Sequence, residues 1–314
     1  MTPHAAPPHP DPSRYDVEEL RERVRHHRDG RVDDSIPALA AADPDLCAIA
    51  IALPDGTVLG STESDVPVSV QSAVKPFLFA LALLDTDGAA LDRVGIEPTG
   101  ESFDAIVLES GTGRPPNPMV NAGAIVTASL VEGAGPRQRM DRIAAGLSAF
   151  AGRDLDVDDE VAHDEHLLGD RNHALAHLLR AEGQLRASAD DAVAVYARAC
   201  ATLVDAETLA VMGATLAGGG VNPRTGVRVV PERVARDVVS VMATCGMYDG
   251  SGRWMRAVGV PAKSSVSGGI VLAARGRLGA AVVSPPLDEQ GTSVRGRVAS
   301  EALSDDLGLH AFAR

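Results

Sequence analysis

Aromatic side chains are scarce in this chain: one Trp, three Tyr and five Phe among 314 residues, 3% in all. A core must therefore be built from Ala, Val and Leu, which the 45% hydrophobic content supplies. Cysteine is rare too. Cys47, Cys200 and Cys245 are odd in number and far apart, and no pair has metal-ligand spacing. That pattern points to three reduced thiols in a cytosolic protein and away from a disulfide framework or a zinc site. Positive charge is short, with 29 Lys and Arg against 43 Asp and Glu and a formal charge of −14. Nucleic acid and anionic membranes are poor partners for such a chain. The acidity is spread along the sequence, as on a solvated surface. The first ten residues carry prolines and no apolar run, so they read as neither a signal peptide nor an anchor. The nine histidines form no recognisable cluster, and no internal repeat is visible.

What is present begins with Ser72-Ala-Val-Lys75, which opens the apolar run Phe77-Leu-Phe-Ala-Leu-Ala-Leu-Leu84. A Ser and a Lys at i and i+3 share one helix face and can share a proton. A serine hydroxyl becomes a useful nucleophile when a partly desolvated lysine takes its proton. Alone, the pair is better read as an N-cap serine with a snorkelling lysine. Ser-x-x-Lys is also the nucleophile motif of penicillin-binding enzymes and serine β-lactamases. Downstream, Pro261-Ala-Lys-Ser-Ser-Val-Ser-Gly-Gly-Ile270 runs into an apolar stretch and resembles the Lys-Thr-Gly element of those enzymes. The lack of an export signal weighs against those two activities.

Further segments lie in between and beyond. They are Glu97-Pro-Thr-Gly100, Asn117-Pro-Met-Val-Asn-Ala-Gly-Ala-Ile125, Arg171-Asn-His-Ala-Leu-Ala176, Gly218-Gly-Gly-Val-Asn-Pro223, Cys245-Gly-Met-Tyr-Asp249 and Ser284-Pro-Pro-Leu-Asp288. Together with Gln71-Ser-Ala-Val-Lys-Pro76 and Pro261-Ala-Lys-Ser264, they make the chain resemble the serine-dependent glutaminases, in the family's order and over about nine tenths of its length. The resemblance implies an α/β fold of the serine β-lactamase and penicillin-binding kind: a mixed sheet flanked by helices, with a helical insertion domain and the site in the cleft between. It implies hydrolysis of L-glutamine to L-glutamate and ammonia through a glutamyl-serine intermediate, with no cofactor and no metal. It also implies a homodimer or homotetramer.

The same resemblance assigns roles. Ser72 is the nucleophile, and its amide and that of Val266 form the oxyanion hole. Lys75 accepts the serine proton, its pKa lowered by burial and by a second cation, Lys263. Tyr248 relays a proton to the leaving ammonia. Gln71, Asn121, Glu165, Asn172 and Tyr196 join Tyr248 and Val266 in holding the substrate. Glu165, acceptor-only when ionised, suits an α-ammonium. Its seven-residue spacing to Asn172 predicts two turns of one helix. Two of the three tyrosines, Tyr196 and Tyr248, fall on these positions. Three departures from the family pattern stand out: Ser35 where a tyrosine is usual, Ser265 where a glycine is usual, and Asp104 where an asparagine is usual.

Patterning predicts residues 1–14 as a disordered tail, a charged helix over 17–27, a hairpin over 46–60, and a core helix starting at Ser72. Pro76 fits that helix only near its start. A mostly helical stretch follows to about residue 216, with a long loop over 97–120. A core helix over 234–243, a hairpin over 270–283 and a C-terminal helix from about residue 297 complete the chain. The expected division is an α/β sheet domain of 15–76 plus 225–314 and a helical domain of 77–224. Three functional readings follow: a cytoplasmic glutaminase, a related serine amidase acting on another γ-amide, and a non-catalytic glutamine or glutamate binder. Intact Ser72, Lys75 and Tyr248 weigh against the third.

Overall fold

The computed structural model describes residues 10–101 and 106–313. In chain order its elements begin with α1 (Val17–Val24), α2 (Pro37–Ala40), β1 (Ala48–Ala52), β2 (Val58–Gly60), β3 (Val68–Ser69) and α3 (Lys75–Asp85). Next come α4 (Asn121–Leu130), α5 (Pro136–Ala151), α6 (Asp159–Leu167), α7 (Asp170–Ala181), α8 (Ala189–Cys200), β4 (Leu203–Val204) and α9 (Ala206–Ala217). The chain ends with α10 (Glu232–Cys245), α11 (Ser251–Ala257), β5 (Ala262–Ser264), β6 (Gly269–Ala274), β7 (Leu278–Val283) and α12 (Val294–Leu307).

The main sheet has the order β2-β1-β7-β6-β5, and β3 pairs with β4 in a small second sheet. The α/β fold with flanking helices is present. Its sheet is more regular than the expected mixed one, because every described pairing is antiparallel. Successive strand residues point to opposite faces, and the isoleucines and leucines of the main sheet's strands gather on one of them. Ile49, Ile51, Ile270, Leu272 and Val282 face one core, where α1 and α12 add Leu20, Val24, Leu303 and Leu307. Ala48, Ala50, Ala52, Val271, Ala273 and Ala281 face the other core, shared with α3, α9 and the helices beyond.

The small face explains how a core with few aromatics closes. The α9 helix lies directly on β1, β6 and β7. A Cβ on Gly279 of β7 would fall 2.0 Å from Ala214 N and 2.2 Å from Ala210 O. Only glycine permits that approach, and close backbone contact replaces large side chains as the source of packing density. The boundary at residue 224 assigns α9 to the helical part, yet its apolar face is buried on the sheet.

Three local expectations are corrected. Within the tail, Pro12–Arg14 forms a 3₁₀ turn capped by Asp11, while residues 1–9 lie outside the described residues. Ser72 does not begin the core helix: residues Gln71–Val74 form a 3₁₀ turn and α3 starts at Lys75. That start puts Pro76 in the first helical turn, where its missing N–H has no intrahelical partner to lose. Glu165 and Asn172 do not share a helix. The chain breaks at Leu168 and Gly169 between α6 and α7. A Cβ on Gly169 would lie 2.6 Å from Glu165 O, so the second helix starts in a tight corner.

Candidate active site

The site is assembled where the 71–74 turn meets β5, the start of α4, and helices α6 to α8. In a 3₁₀ turn residues i and i+3 eclipse each other. This places Lys75 Nζ 2.8 Å from Ser72 Oγ. Gln71 enters the turn at φ 49°, a left-handed conformation uncommon outside glycine, so the chain reverses sharply just before the serine. Ser72 retains 9% exposure, a narrow opening for substrate. Beyond it α3 runs as an apolar helix buried from Lys75 to Leu83. The N-terminal end of that helix carries partial positive charge, which favours an oxyanion beside Ser72.

Lys75 is fully buried and bonds also to Asn121 Oδ1 at 2.7 Å. Asn121 is the first residue of α4, and its Nδ2 donates to Asn172 Oδ1 at 3.1 Å. Asn172 lies in the first turn of α7. The broken helix therefore still delivers Asn172 to the site, as a second-step partner of the lysine. Burial pushes the Lys75 amine down to about 8, opposed by the nearby Glu165 charge.

Lys263, on β5, is also fully buried and donates to Ser264 O at 2.6 Å. Burial, then the Lys75 charge, holds its amine well below the ordinary lysine range. Burial is the leading cause for both amines, and the two cations repel each other.

Tyr248 lies against both amines. Its phenol hydrogen-bonds Ser72, but burial raises its pKa above the free value. The two amines lie over its ring face, with Lys263 Nζ at 3.9 Å and Lys75 Nζ at 5.6 Å from the centroid. The phenol therefore stays protonated at neutral pH. Gly246 makes the placement possible, since a Cβ there would fall 1.8 Å from Ala262 O. The end of α10 can then lie against β5. Tyr248 itself adopts φ 53°, so two of the few non-glycine residues in left-handed conformation flank the serine.

On the opposite wall, Glu165 is hydrogen-bonded by Gln71. Burial raises the Glu165 carboxyl above its usual value, with Asp33 adding and Lys75 opposing. Tyr196 of α8 is 3% exposed and pairs with Cys200 one turn later. Val266 sits on the turn between β5 and β6, packed against the small cluster of Ile36, Leu39, Val161, Ala162 and Ala201. The strands flanking that turn touch the 71–74 segment.

Ser72, Lys75, Asn121, Asn172, Gln71, Glu165, Tyr248 and Lys263 are thus joined by direct contacts, and Tyr196 lies within charge reach of Glu165 and Tyr248. Ser35 is exposed, its amide and hydroxyl both donated to Asp33 Oδ1. Asp104 lies outside the described residues. Cys200 is a residue that sequence reading treated only as a reduced thiol. Its four-residue spacing from Tyr196 on a clear helix was the available signal. A second signal went unused: the chain has only two lysines, Lys75 and Lys263, and both are here.

Among the described residues, no group of three or more His, Cys, Asp or Glu is placed to hold a metal ion. Nor is any helix long and apolar enough to cross a membrane.

The glutaminase family model matches residues 30–312. A glutaminase of Clavibacter michiganensis subsp. michiganensis is 71% identical over 297 residues, 95% of this chain and 91% of that protein. A glutaminase of Trichormus variabilis is 44% identical over 304 residues, 96% of this chain and 91% of that protein. Among solved structures, the probable glutaminase ybaS superposes with a TM-score of 0.91 at 39% identity, covering 94% of this chain and 96% of that one. Mglu in its glutamate form superposes with a TM-score of 0.90 at 45% identity, covering 94% and 69%.

Proposed function

The chain belongs to the glutaminase family, and from that premise we propose that it hydrolyses L-glutamine to L-glutamate and ammonia by serine catalysis. The observation that carries the reading is the buried Lys75 amine held between Ser72 Oγ and Asn121 Oδ1. A lysine held at about 8 is neutral often enough at working pH to take a serine proton. Ser72 Oγ then attacks the γ-carbonyl carbon, and the carbonyl oxygen becomes an oxyanion facing the Ser72 and Val266 amides. Preorganised amides of this kind are worth about 3–4 kcal/mol each when removed singly. Collapse breaks the C–N bond, and the nitrogen leaves as ammonia with a proton passed through the protonated Tyr248. Water, deprotonated by Lys75, hydrolyses the glutamyl ester and restores Ser72.

Glu165 receives the α-ammonium, with Gln71, Asn121, Asn172 and Tyr196 ordering the rest of the substrate. The proposed chemistry uses no metal or cofactor. The reading extends to a cytoplasmic location, supported by three buried free cysteines. It also extends to a homodimer or homotetramer, supported by the exposed Leu167, Leu168 and Leu178. A second reading, hydrolysis of a different γ-amide, draws on Ser35, whose side chain turns to Asp33 and leaves the site without the usual phenol.

The test is ammonia release from L-glutamine by the purified protein and by Ser72→Ala. Turnover by the first and not the second is expected. Turnover by neither, with another γ-amide consumed by wild type, moves the assignment to the second reading.

A further inference from the structure

We infer that Ser265 and Ser267 form a hydroxyl brace that positions the Val266 amide, making them positioning residues for the oxyanion hole. The inference rests on the serine reading above. Its evidence is the bonding of the turn itself.

At the end of β5, Ser265 N donates to Gly269 O at 2.8 Å, as an antiparallel ladder requires. The return bond, from Gly269 N to Ser265 O, is missing from its usual place. Ser265 O instead accepts from Gly268 N at 3.1 Å, closing a tight turn over residues 265–268. Gly269 N is taken by Ser265 Oγ at 3.2 Å. The side-chain hydroxyl thus completes the ladder that the carbonyl has left. The same Oγ lies 2.8 Å from Ser267 Oγ.

Val266 sits between the two braced residues. Ser265 is 2% exposed and Ser267 5%, so the hydroxyl pair is sheltered from water, where a hydrogen bond is strong and an unpaired group is costly. The far side of the turn is pinned as well, since Gly268 O accepts from Ser284 N at 3.0 Å. A glycine at 265 has no hydroxyl to offer Gly269 N. The added side chain is therefore not an obstruction in the substrate cleft; it is folded back into the turn that carries the oxyanion donor.

An oxyanion donor acts on the transition state and little on bound substrate. Loosening it lowers kcat and spares KM. Ser265→Ala leaves Gly269 N–H unpaired and is expected to lower kcat about ten-fold, with KM within about two-fold of wild type. The pH midpoint of kcat should stay at the wild-type value, because Lys75 is untouched. Ser267→Ala strands no backbone N–H, and about a three-fold fall in kcat is expected. If Ser265→Ala fails to fold, Ser267→Ala decides alone.

Unchanged kcat in the folded variants, a loss confined to KM, or a shifted pH midpoint overturns the brace. Activity surviving in Ser72→Ala overturns the serine reading instead, so the two failures are distinguishable.

Discussion

Lys75 Nζ bridges Ser72 Oγ, at 2.8 Å, and Asn121 Oδ1, at 2.7 Å, in a pocket with no measurable exposure of the lysine. Loss of the serine hydroxyl leaves Lys75 its bond to Asn121, which sets the first expectation. Ser72→Ala should remove turnover while the protein stays folded. Lys75 keeps Asn121, and the lost hydroxyl caps no helix in this structure, so the stability change should stay within about 1–2 kcal/mol. Thermal unfolding and ammonia release measure the two effects. More than a few per cent residual activity in clean protein would sink the serine mechanism.

The rate should rise with pH. Lys75 must be neutral to act as the base, and its amine is held at about 8. Below that value kcat/KM should climb about ten-fold per pH unit, then level off above it. Tyr248 contributes no alkaline limb in this range, because burial holds its phenol protonated. A midpoint near the unperturbed histidine value, measured in a rate profile, points to a different base.

Stability carries the same signature. The unfolded lysine keeps its proton up to the ordinary lysine value of 10.5, while the folded one releases it at about 8. Between those values the unfolded chain binds more protons, so stability rises with pH. The burial penalty is fully present below about pH 8 and has gone above about 10.5, a change of about 3 kcal/mol. Lys75→Met lacks the titration. Denaturant unfolding of wild type and variant at both ends of the window should show wild type gaining on the variant as pH rises. A constant gap contradicts a buried, depressed amine.

Tyr248→Phe separates the phenol from its ring. The ring still lies beside both lysine amines, so the fold should hold. The hydroxyl bonded to Ser72 is lost, and with it the proton path to the leaving nitrogen. A fall of about 10²–10⁴ in kcat is expected from steady-state kinetics. Full activity in Tyr248→Phe assigns proton delivery elsewhere.

The sequence made the sheet legible because apolar strands of β-branched and small residues are bounded by Pro-Asp-Gly and Arg-Gly turns. It did not show that Glu165 and Asn172 sit on different helices. Their seven-residue spacing fits one helix, and only the close fit of Gly169 against Glu165 O breaks it. The Ser72–Lys75 pair was legible, but as an α-helical one. The 3₁₀ turn depends on Pro76 falling just after Lys75 and on the unusual φ of Gln71. Burial depth was not legible at all. How completely Lys75 and Lys263 are enclosed is a tertiary property, set by which elements pack around them.

Ser35→Tyr tests the departure at residue 35. Ser35 is exposed and precedes Ile36, which belongs to the small apolar cluster against which Val266 packs. At present the serine hydroxyl and amide are both given to Asp33 Oδ1, and the Asp33 charge reaches Glu165. Tyrosine removes the hydroxyl bond and offers a phenol plus ring contact, together about 1–2 kcal/mol or about ten-fold in kcat/KM for glutamine. The gain should appear in KM, because the phenol meets substrate and transition state alike. If glutamine kinetics stay flat while the wild-type enzyme turns over another γ-amide faster, Ser35 marks a shifted specificity, and the protein's preferred substrate is that amide.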